Sequence, residues 1–285
     1  MIEKLNLTGK TIVITGGGTG LGKEMSLSMA DAGADIIIAA RRIEPIEEVA
    51  KQIRAIGSKS IAISTDATNT DEVKSLFDYV LSEFGKIDVL FNNAGIVRED
   101  APKPIWEITD ESWKLGIDVN LSTAFYCSRA VSKHMVDQGS GKIVNVSSGY
   151  GFRGGRNNYM YAAGKGGIVN FTRALATSLG QYGVTANCIV PGFIPTDNTD
   201  PNSDRAKQRG KFIPVGRTGI PNEMGPIAVF LASNASDYMN GEFFAIDGGG
   251  LAGGIAPTGH APVSYTHLRA HETRHDLVCR LLLEK

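Results

Sequence analysis

Short runs rich in β-branched residues alternate with longer stretches of helical apolar spacing along most of the chain, and this alternation is the strongest constraint on its fold. Thr11–Thr15, Ile36–Ala40, Ile61–Ser64, Val89–Phe91, Ile143–Val146, Thr185–Val190 and Phe243–Ile246 read as strands. Between them Leu21–Ala32, Pro45–Ile56, Asp71–Phe84, Asp110–Val136, Tyr161–Leu179 and Asn222–Ala232 read as helices, with starts such as Thr70-Asp71 and Thr109-Asp110. Strands separated by helices predict a parallel sheet, and strands that are apolar throughout predict helices on both faces. The expectation is an α/β fold: a three-layer, doubly wound parallel sheet of about seven strands in one domain spanning residues 1–262. Phe193 to Arg209 is the least regular stretch, rich in Pro, Asp, Asn and Ser, and is expected to be an irregular lid.

Composition narrows the function classes. A formal charge of −1 with no Lys/Arg run provides no field for a phosphate backbone, so a nucleic-acid partner is not expected. No apolar run is long enough to span a bilayer, and Met1–Thr8 lacks a signal-peptide core, so a cytoplasmic location is expected, with no membrane partner. Cys127, Cys188 and Cys279 are an odd, widely spaced set without CxxC, which reads as buried thiols and not a disulfide or zinc framework.

From Val263 the text changes style and gathers three of the chain's five histidines. VSYTHLRAHET and LVCRLLLEK resemble a conceptual translation of a sequencing-library adapter, so residues 263–285 are expected to be no part of the fold. This matters because His271, Glu272 and His275 match HExxH, the spacing that places two zinc ligands and a base on one helix face. No third ligand is evident and the surrounding text has another explanation, so no metal is expected.

Three local signals point to chemistry. Strand Thr11–Thr15 runs directly into Gly16-Gly17-Gly18-Thr19-Gly20-Leu21-Gly22 and then a helix. Glycines there permit positive φ and let backbone amides and a helix N-terminus approach a pyrophosphate, although such turns also serve packing. Asn92-Asn93-Ala94-Gly95 follows Val89–Phe91 at the strand end where ligands of parallel sheets bind, with an ordinary turn as the bland alternative. Tyr161 and Lys165 sit four apart on a predicted helix, so phenol and ammonium share a face, where the cation is expected to lower the phenol pKa. Tyr159 has Ala163 at the matching position and cannot be the partner.

Taken together in order and spacing, TGxxxGxG at Thr15–Gly22, NNAG at Asn92–Gly95, Asn120 in DVN, Ser148, YxxxK at Tyr161–Lys165 and Pro191-Gly192 resemble the short-chain dehydrogenase/reductase family. The resemblance spans roughly Leu5 to Gly250 and implies a Rossmann-type nucleotide-binding domain. It also implies an NAD(P)-dependent oxidoreductase that moves hydride between nicotinamide and a small-molecule carbonyl or alcohol. The family's catalytic serine lies thirteen residues before the tyrosine, which selects Ser148 over Ser147. Gly164 replaces the serine of the commoner YxxSK, a change expected to matter little.

The resemblance assigns roles. Tyr161 is the general acid/base, Lys165 lowers its pKa and holds the nicotinamide ribose, Ser148 bonds the substrate oxygen, and Asn120 completes a proton relay. Cofactor contacts are implied from Gly16, Thr19, Gly20, Leu21 and Gly22 in the first turn, and from Asp66 (against adenine) and Ala67. Further contacts are implied from Asn93, Ala94 and Gly95, and from Pro191, Gly192, Ile194 and Thr196, the last on the carboxamide. The position that selects a 2′-hydroxyl falls seven after Gly33, at Ala40, so no carboxylate is present, and Arg41 follows with a guanidinium suited to a 2′-phosphate. NADP(H) is therefore expected over NAD(H). A homo-oligomer, a tetramer, is implied by the family. The substrate readings are a 3-oxoacyl thioester or, alternatively, a sugar or polyol such as gluconate or glucose. A nicotinamide-sensing protein without turnover is the competitor from another class. Specificity is expected to lie in Val97–Pro104, Gly149–Asn158 and Phe193–Arg209, with Arg153 and Arg156 able to meet an anion.

Overall fold

The computed structural model describes residues 2–96, 103–196 and 203–253. Seven parallel strands lie in the order β3-β2-β1-β4-β5-β6-β7. They are β1 (Thr11–Thr15), β2 (Asp35–Ala40), β3 (Ser60–Ser64), β4 (Val89–Asn92), β5 (Gly141–Val146), β6 (Val184–Pro191) and β7 (Phe243–Ile246). The order reverses between β1 and β4, which pair from Ile12 with Val89 to Thr15 with Asn92. Chain entering and leaving this point opens a crevice at the carboxyl edge, where parallel sheets bind ligands.

The strands are apolar throughout because successive residues feed two cores. Ile12, Ile14, Ile36, Ile38 and Phe91 pack with Met25, Met29 and Ile46 from α1 (Gly20–Asp31) and α2 (Ile43–Ala55). Val13, Ile37 and Leu90 point the other way, onto Phe77, Cys127 and Ala176 from α3 (Thr70–Phe84), α5 (Thr123–Gln138) and α6 (Tyr159–Leu179). The period-two alternation thus distributes apolar side chains to both layers. The edge strand β7 departs from the expectation: Phe243 remains 38% exposed, its ring tilted against that of Phe152 with centroids 4.7 Å apart.

Four expectations need correction. The helix expected over Asp110–Val136 is broken: α4 (Asp110–Ile117) passes through a π-helical turn at Asp118–Ser122 before α5 resumes. The apolar spacing runs through the break, so periodicity hides it. Helix α3 is capped by Asn69, whose side chain accepts from the Asp71 and Glu72 amides, and not by Thr70. The stretch to Arg209 is not irregular throughout, since α7 (Asp204–Gly210) occupies its end; residues 197–202 lie outside the described ones. The helix placed at Asn222–Ala232 begins as a 3-10 turn, Pro221–Met224, and becomes α8 (Gly225–Ala232). Cys127 and Cys188 are buried, as expected; Cys279 and the segment from Val263 lie outside the described residues.

Candidate active site

All the residues given catalytic or cofactor roles from the sequence except Asn120 line one cleft of about 1170 Å³ along the carboxyl edge of the sheet. The turn after β1 forms its floor. Gly16 has φ +69°, and a Cβ there would lie 3.0 Å from the Asn93 amide nitrogen. A Cβ on Gly22 would lie 2.2 Å from the Gly16 carbonyl oxygen, so only glycine allows α1 to sit this close to the turn. Thr19, at the N-cap of α1, does not bond the helix amides with its side chain. The positive end of that helix therefore faces the cleft, suited to an anion.

The Asn93-Ala94-Gly95 segment is tied to this turn. The Asn93 amide group donates to the carbonyls of Thr15 and Gly16, both at 3.0 Å, while the Thr15 hydroxyl accepts from the backbone amides of Asn93 (3.2 Å) and Ala94 (3.1 Å). Asn93 thus shapes the cleft by joining β1 to β4, and its amide donors are committed to that task.

The chemical end of the cleft forms where β5 meets α6. Ser148 follows β5, its hydroxyl accepts from the Tyr150 amide at 3.3 Å, and it shares the cleft wall with Tyr161. Ser147 differs: its buried hydroxyl donates to the Lys165 carbonyl at 2.7 Å, fastening the strand end to α6. Strand alternation is the signal that finds this, because Ser147 shares a face with Asn145, whose amide donates to Thr172 of α6 at 2.9 Å. Tyr150, inside the Gly149–Asn158 segment expected to set specificity, stands edge-on to Tyr161 with ring centroids 6.2 Å apart.

Lys165 is buried, and its ammonium donates to the Val146 carbonyl at 2.9 Å while lying 5.8 Å from the centre of the Tyr161 ring. Burial lowers its pKa to about 8, with Cys188 pulling weakly the other way. The Tyr161 pKa is raised, again by burial, against the lowering effect of Ser148. The Tyr161 shift is dominated by burial, while the Lys165 ammonium is turned to the Val146 carbonyl.

Asn120 lies behind the cleft wall. Its side chain sits in the π-helical turn, donates to the Gly116 carbonyl at 3.0 Å and accepts from the Ile96 amide at 3.1 Å. A Cβ on Gly95 would stand 3.0 Å from the Lys165 nitrogen and 3.1 Å from the Asn120 oxygen, so both groups crowd the space that glycine leaves open there.

At the opposite end Ala40, Arg41, Arg42, Asp66 and Ala67 form the wall after β2 and β3. Burial alone would raise the Asp66 pKa, but bonds from the Thr68 amide and hydroxyl and the charge of Arg41 hold it below the usual value. Past β6, Pro191, Gly192, Ile194 and Thr196 close the cleft, with Thr196 carbon 3.0 Å from where a Gly20 Cβ would be.

The short chain dehydrogenase family model matches residues 10–207. The chain belongs to that family. This short-chain dehydrogenase is 39% identical over 258 residues to the 2-dehydro-3-deoxy-D-gluconate 5-dehydrogenase of Escherichia coli, covering 88% of this chain and 99% of that one. It is 38% identical over 245 residues to the 3-oxoacyl-[acyl-carrier-protein] reductase of Synechocystis, covering 85% and 97%. The crystal structure of a gluconate 5-dehydrogenase from Burkholderia cenocepacia, in complex with NADP and tartrate, superposes with a TM-score of 0.83 at 32% identity, covering 89% and 99%. The short-chain dehydrogenase is accordingly an NAD(P)-dependent oxidoreductase acting on CH–OH groups and their carbonyls. Among its described residues no helix is long and apolar enough to cross a membrane.

Proposed function

We propose that this dehydrogenase, a single nucleotide-binding domain over residues 1–262, exchanges hydride between NADP(H), in preference to NAD(H), and a small carbonyl or alcohol. The observation that carries the reading is that Ser148, Tyr161 and Lys165 border the same cleft as a glycine turn and a helix N-terminus. Bound nicotinamide supplies or accepts the hydride. Burial keeps the Tyr161 phenol protonated at neutral pH, ready to donate to a carbonyl oxygen, and in the reverse direction to accept the alcohol proton. The Ser148 hydroxyl bonds that same oxygen and orients it. Lys165 stays charged below about pH 8 and holds the ribose, and Asn120 supports the relay by fixing the Ile96 amide.

The cofactor preference rests on Ala40 and Arg41. No carboxylate stands at the end of β2 to repel a 2′-phosphate, and the attraction between Asp66 and Arg41 favours keeping the guanidinium at the adenosine end. Two substrate classes fit the relatives: a 3-oxoacyl thioester, as for the Synechocystis reductase, and a sugar-acid derivative, as for the Escherichia coli enzyme. Thr109, Ser112 and Asn158 on the cleft wall favour the hydroxyl-rich class. The working unit is a cytoplasmic homotetramer.

The test is reduced-nicotinamide absorbance across a carbonyl and alcohol panel with both cofactors. Tyr161→Phe is expected to lower kcat by roughly 10²–10⁴-fold with cofactor affinity nearly intact. Arg41→Ala is expected to reduce the preference for NADP(H) about tenfold. Full turnover by the phenylalanine variant sinks the mechanism; a higher kcat/KM with NAD(H) in the wild type sinks the cofactor reading.

A further inference from the structure

We propose that the substrate end of the cleft is built for a carboxylate, held between Arg156 and Arg209; this deepens the hydride-transfer reading above and rests on it. Besides Tyr161 the cleft is lined by Tyr150, Arg156 and Asn158 from the segment between β5 and α6, and by Phe193 and Arg209 from the chain after β6. The two guanidiniums come from segments far apart in sequence, the loop before α6 and the helix α7. Both border the same volume as Ser148 and Tyr161.

Neither guanidinium has a carboxylate partner among the described residues. Other arginines do: Arg54 pairs with Glu47 at 2.5 Å, and Arg217 makes two bonds to Glu223, at 3.0 and 2.6 Å. Arg209 instead lies over the Phe193 ring, 4.2 Å from its centroid. That stacking occupies the flat face of the guanidinium and leaves its N–H edge for a planar anion. Arg156 stands beside Asn157, which holds φ +57° with its side-chain oxygen accepting from the Tyr159 hydroxyl at 3.1 Å. This local hydrogen bond braces the turn that presents Arg156.

Arg153 falls out of the candidate set: it is not on the cleft wall and donates to the Gly250 carbonyl at 3.3 Å. The other charged residues of the cleft are Arg41, Arg42, Lys103 and Lys165, which add to the positive field, and Asp66 and Glu107, which oppose it. The excess is cationic, opposite in sign to the whole chain at −1. A small hydroxy or oxo acid satisfies all of these features, with its oxygen on Ser148 and Tyr161 and its carboxylate on the arginines.

D-gluconate and D-glucitol test this, because they share a hydroxylated carbon chain and differ at one end, carboxylate against hydroxymethyl. With cofactor bound, gluconate is expected to raise the Tm of the full chain and glucitol to raise it less. In kinetics the acid is expected to be preferred in kcat/KM by about tenfold, the lower end for charge-assisted bonds because both arginines are exposed. Arg156→Gln and Arg209→Gln should each lower kcat/KM for the acid several-fold more than for the neutral compound, whereas Arg153→Gln should leave that ratio in place. Equal Tm shifts for the two compounds, or variants that lower both substrates alike, overturn the carboxylate site while the hydride-transfer reading stands. Turnover restricted to acyl thioesters overturns it equally. Loss of hydride transfer for every substrate class instead removes the enzymatic reading, and the Tm comparison still decides whether the cleft prefers an anion.

Discussion

A charged ammonium at Lys165 is held where only 4% of the residue meets solvent, with the Val146 carbonyl as its bonded partner. The folded pKa of about 8 lies below the 10.5 of an exposed lysine, so between those values the unfolded chain binds more protons and stability rises with pH. Below about pH 8 both states are protonated and the burial cost, about 3 kcal/mol, stands in full. Comparing urea unfolding of the wild type and Lys165→Met from pH 7 to 10.5 should therefore show the difference moving in favour of the wild type by up to about that amount. A flat difference would mean that the ammonium is not depressed. The same titration places an alkaline limb near pH 8 in kcat/KM for carbonyl reduction at sub-saturating cofactor. At this scale the identities of Ser148, Tyr161 and Lys165 were legible from spacing and family resemblance. The sign of the Tyr161 shift was not, since it depends on burial, which is not written in a four-residue interval.

Helix α6 meets α4 and the π-helical turn through glycines. A Cβ on Gly116 would lie 2.4 Å from the Met160 Cβ, one on Gly164 would lie 2.8 Å from the Asn120 Cβ, and one on Gly167 would lie 2.7 Å from a Leu121 methyl. These contacts fall on and beside the π-helical turn, so the close approach of α6 and the break in the preceding helix are parts of one arrangement. Each glycine costs a helix about 1 kcal/mol relative to alanine, a cost offset here by packing. The serine common in the family at position 164 is therefore not an innocent replacement in this chain. Gly164→Ser should destabilise by about 1–3 kcal/mol and lower kcat more than it changes KM, because Asn120 must move. Gly166→Ala, whose Cβ would find only the Gly151 carbonyl at 3.5 Å, should be neutral or stabilising. Wild-type stability and kcat in Gly164→Ser would show the contact to be slack. Helix ends and strand positions could be read from periodicity to within a few residues, but the π-helical turn has no residue signature; tertiary contact creates it.

The sheet order gives the whole molecule its polarity. Strand runs, glycine turn and helical spacing were enough to read the doubly wound arrangement, because each recurs locally; the exposed faces were not, since partners leave no period. Phe125 of α5 and Phe171 of α6 stand 6.2 Å apart, and Phe125 remains 42% exposed. Such an apolar face suits an assembly interface, in keeping with the tetramer proposed above. Light scattering is expected to give a tetramer mass, and Phe125→Lys a smaller species; a monomer at micromolar concentration removes this reading. The edge opposite the cleft is different in kind. Gly57, Gly85 and Gly139 turn the chain there with φ of +98°, +73° and +69°, and nothing lies within 4 Å of where their Cβ atoms would be. The nearby Glu83 is exposed, whereas the buried thiols of Cys127 and Cys188 are pushed up to about 12 and about 11. The molecule consequently has a back by which it can be held: a Glu83→Cys handle, more reactive than either buried thiol, would anchor it to an electrode or bead with the cleft facing outward.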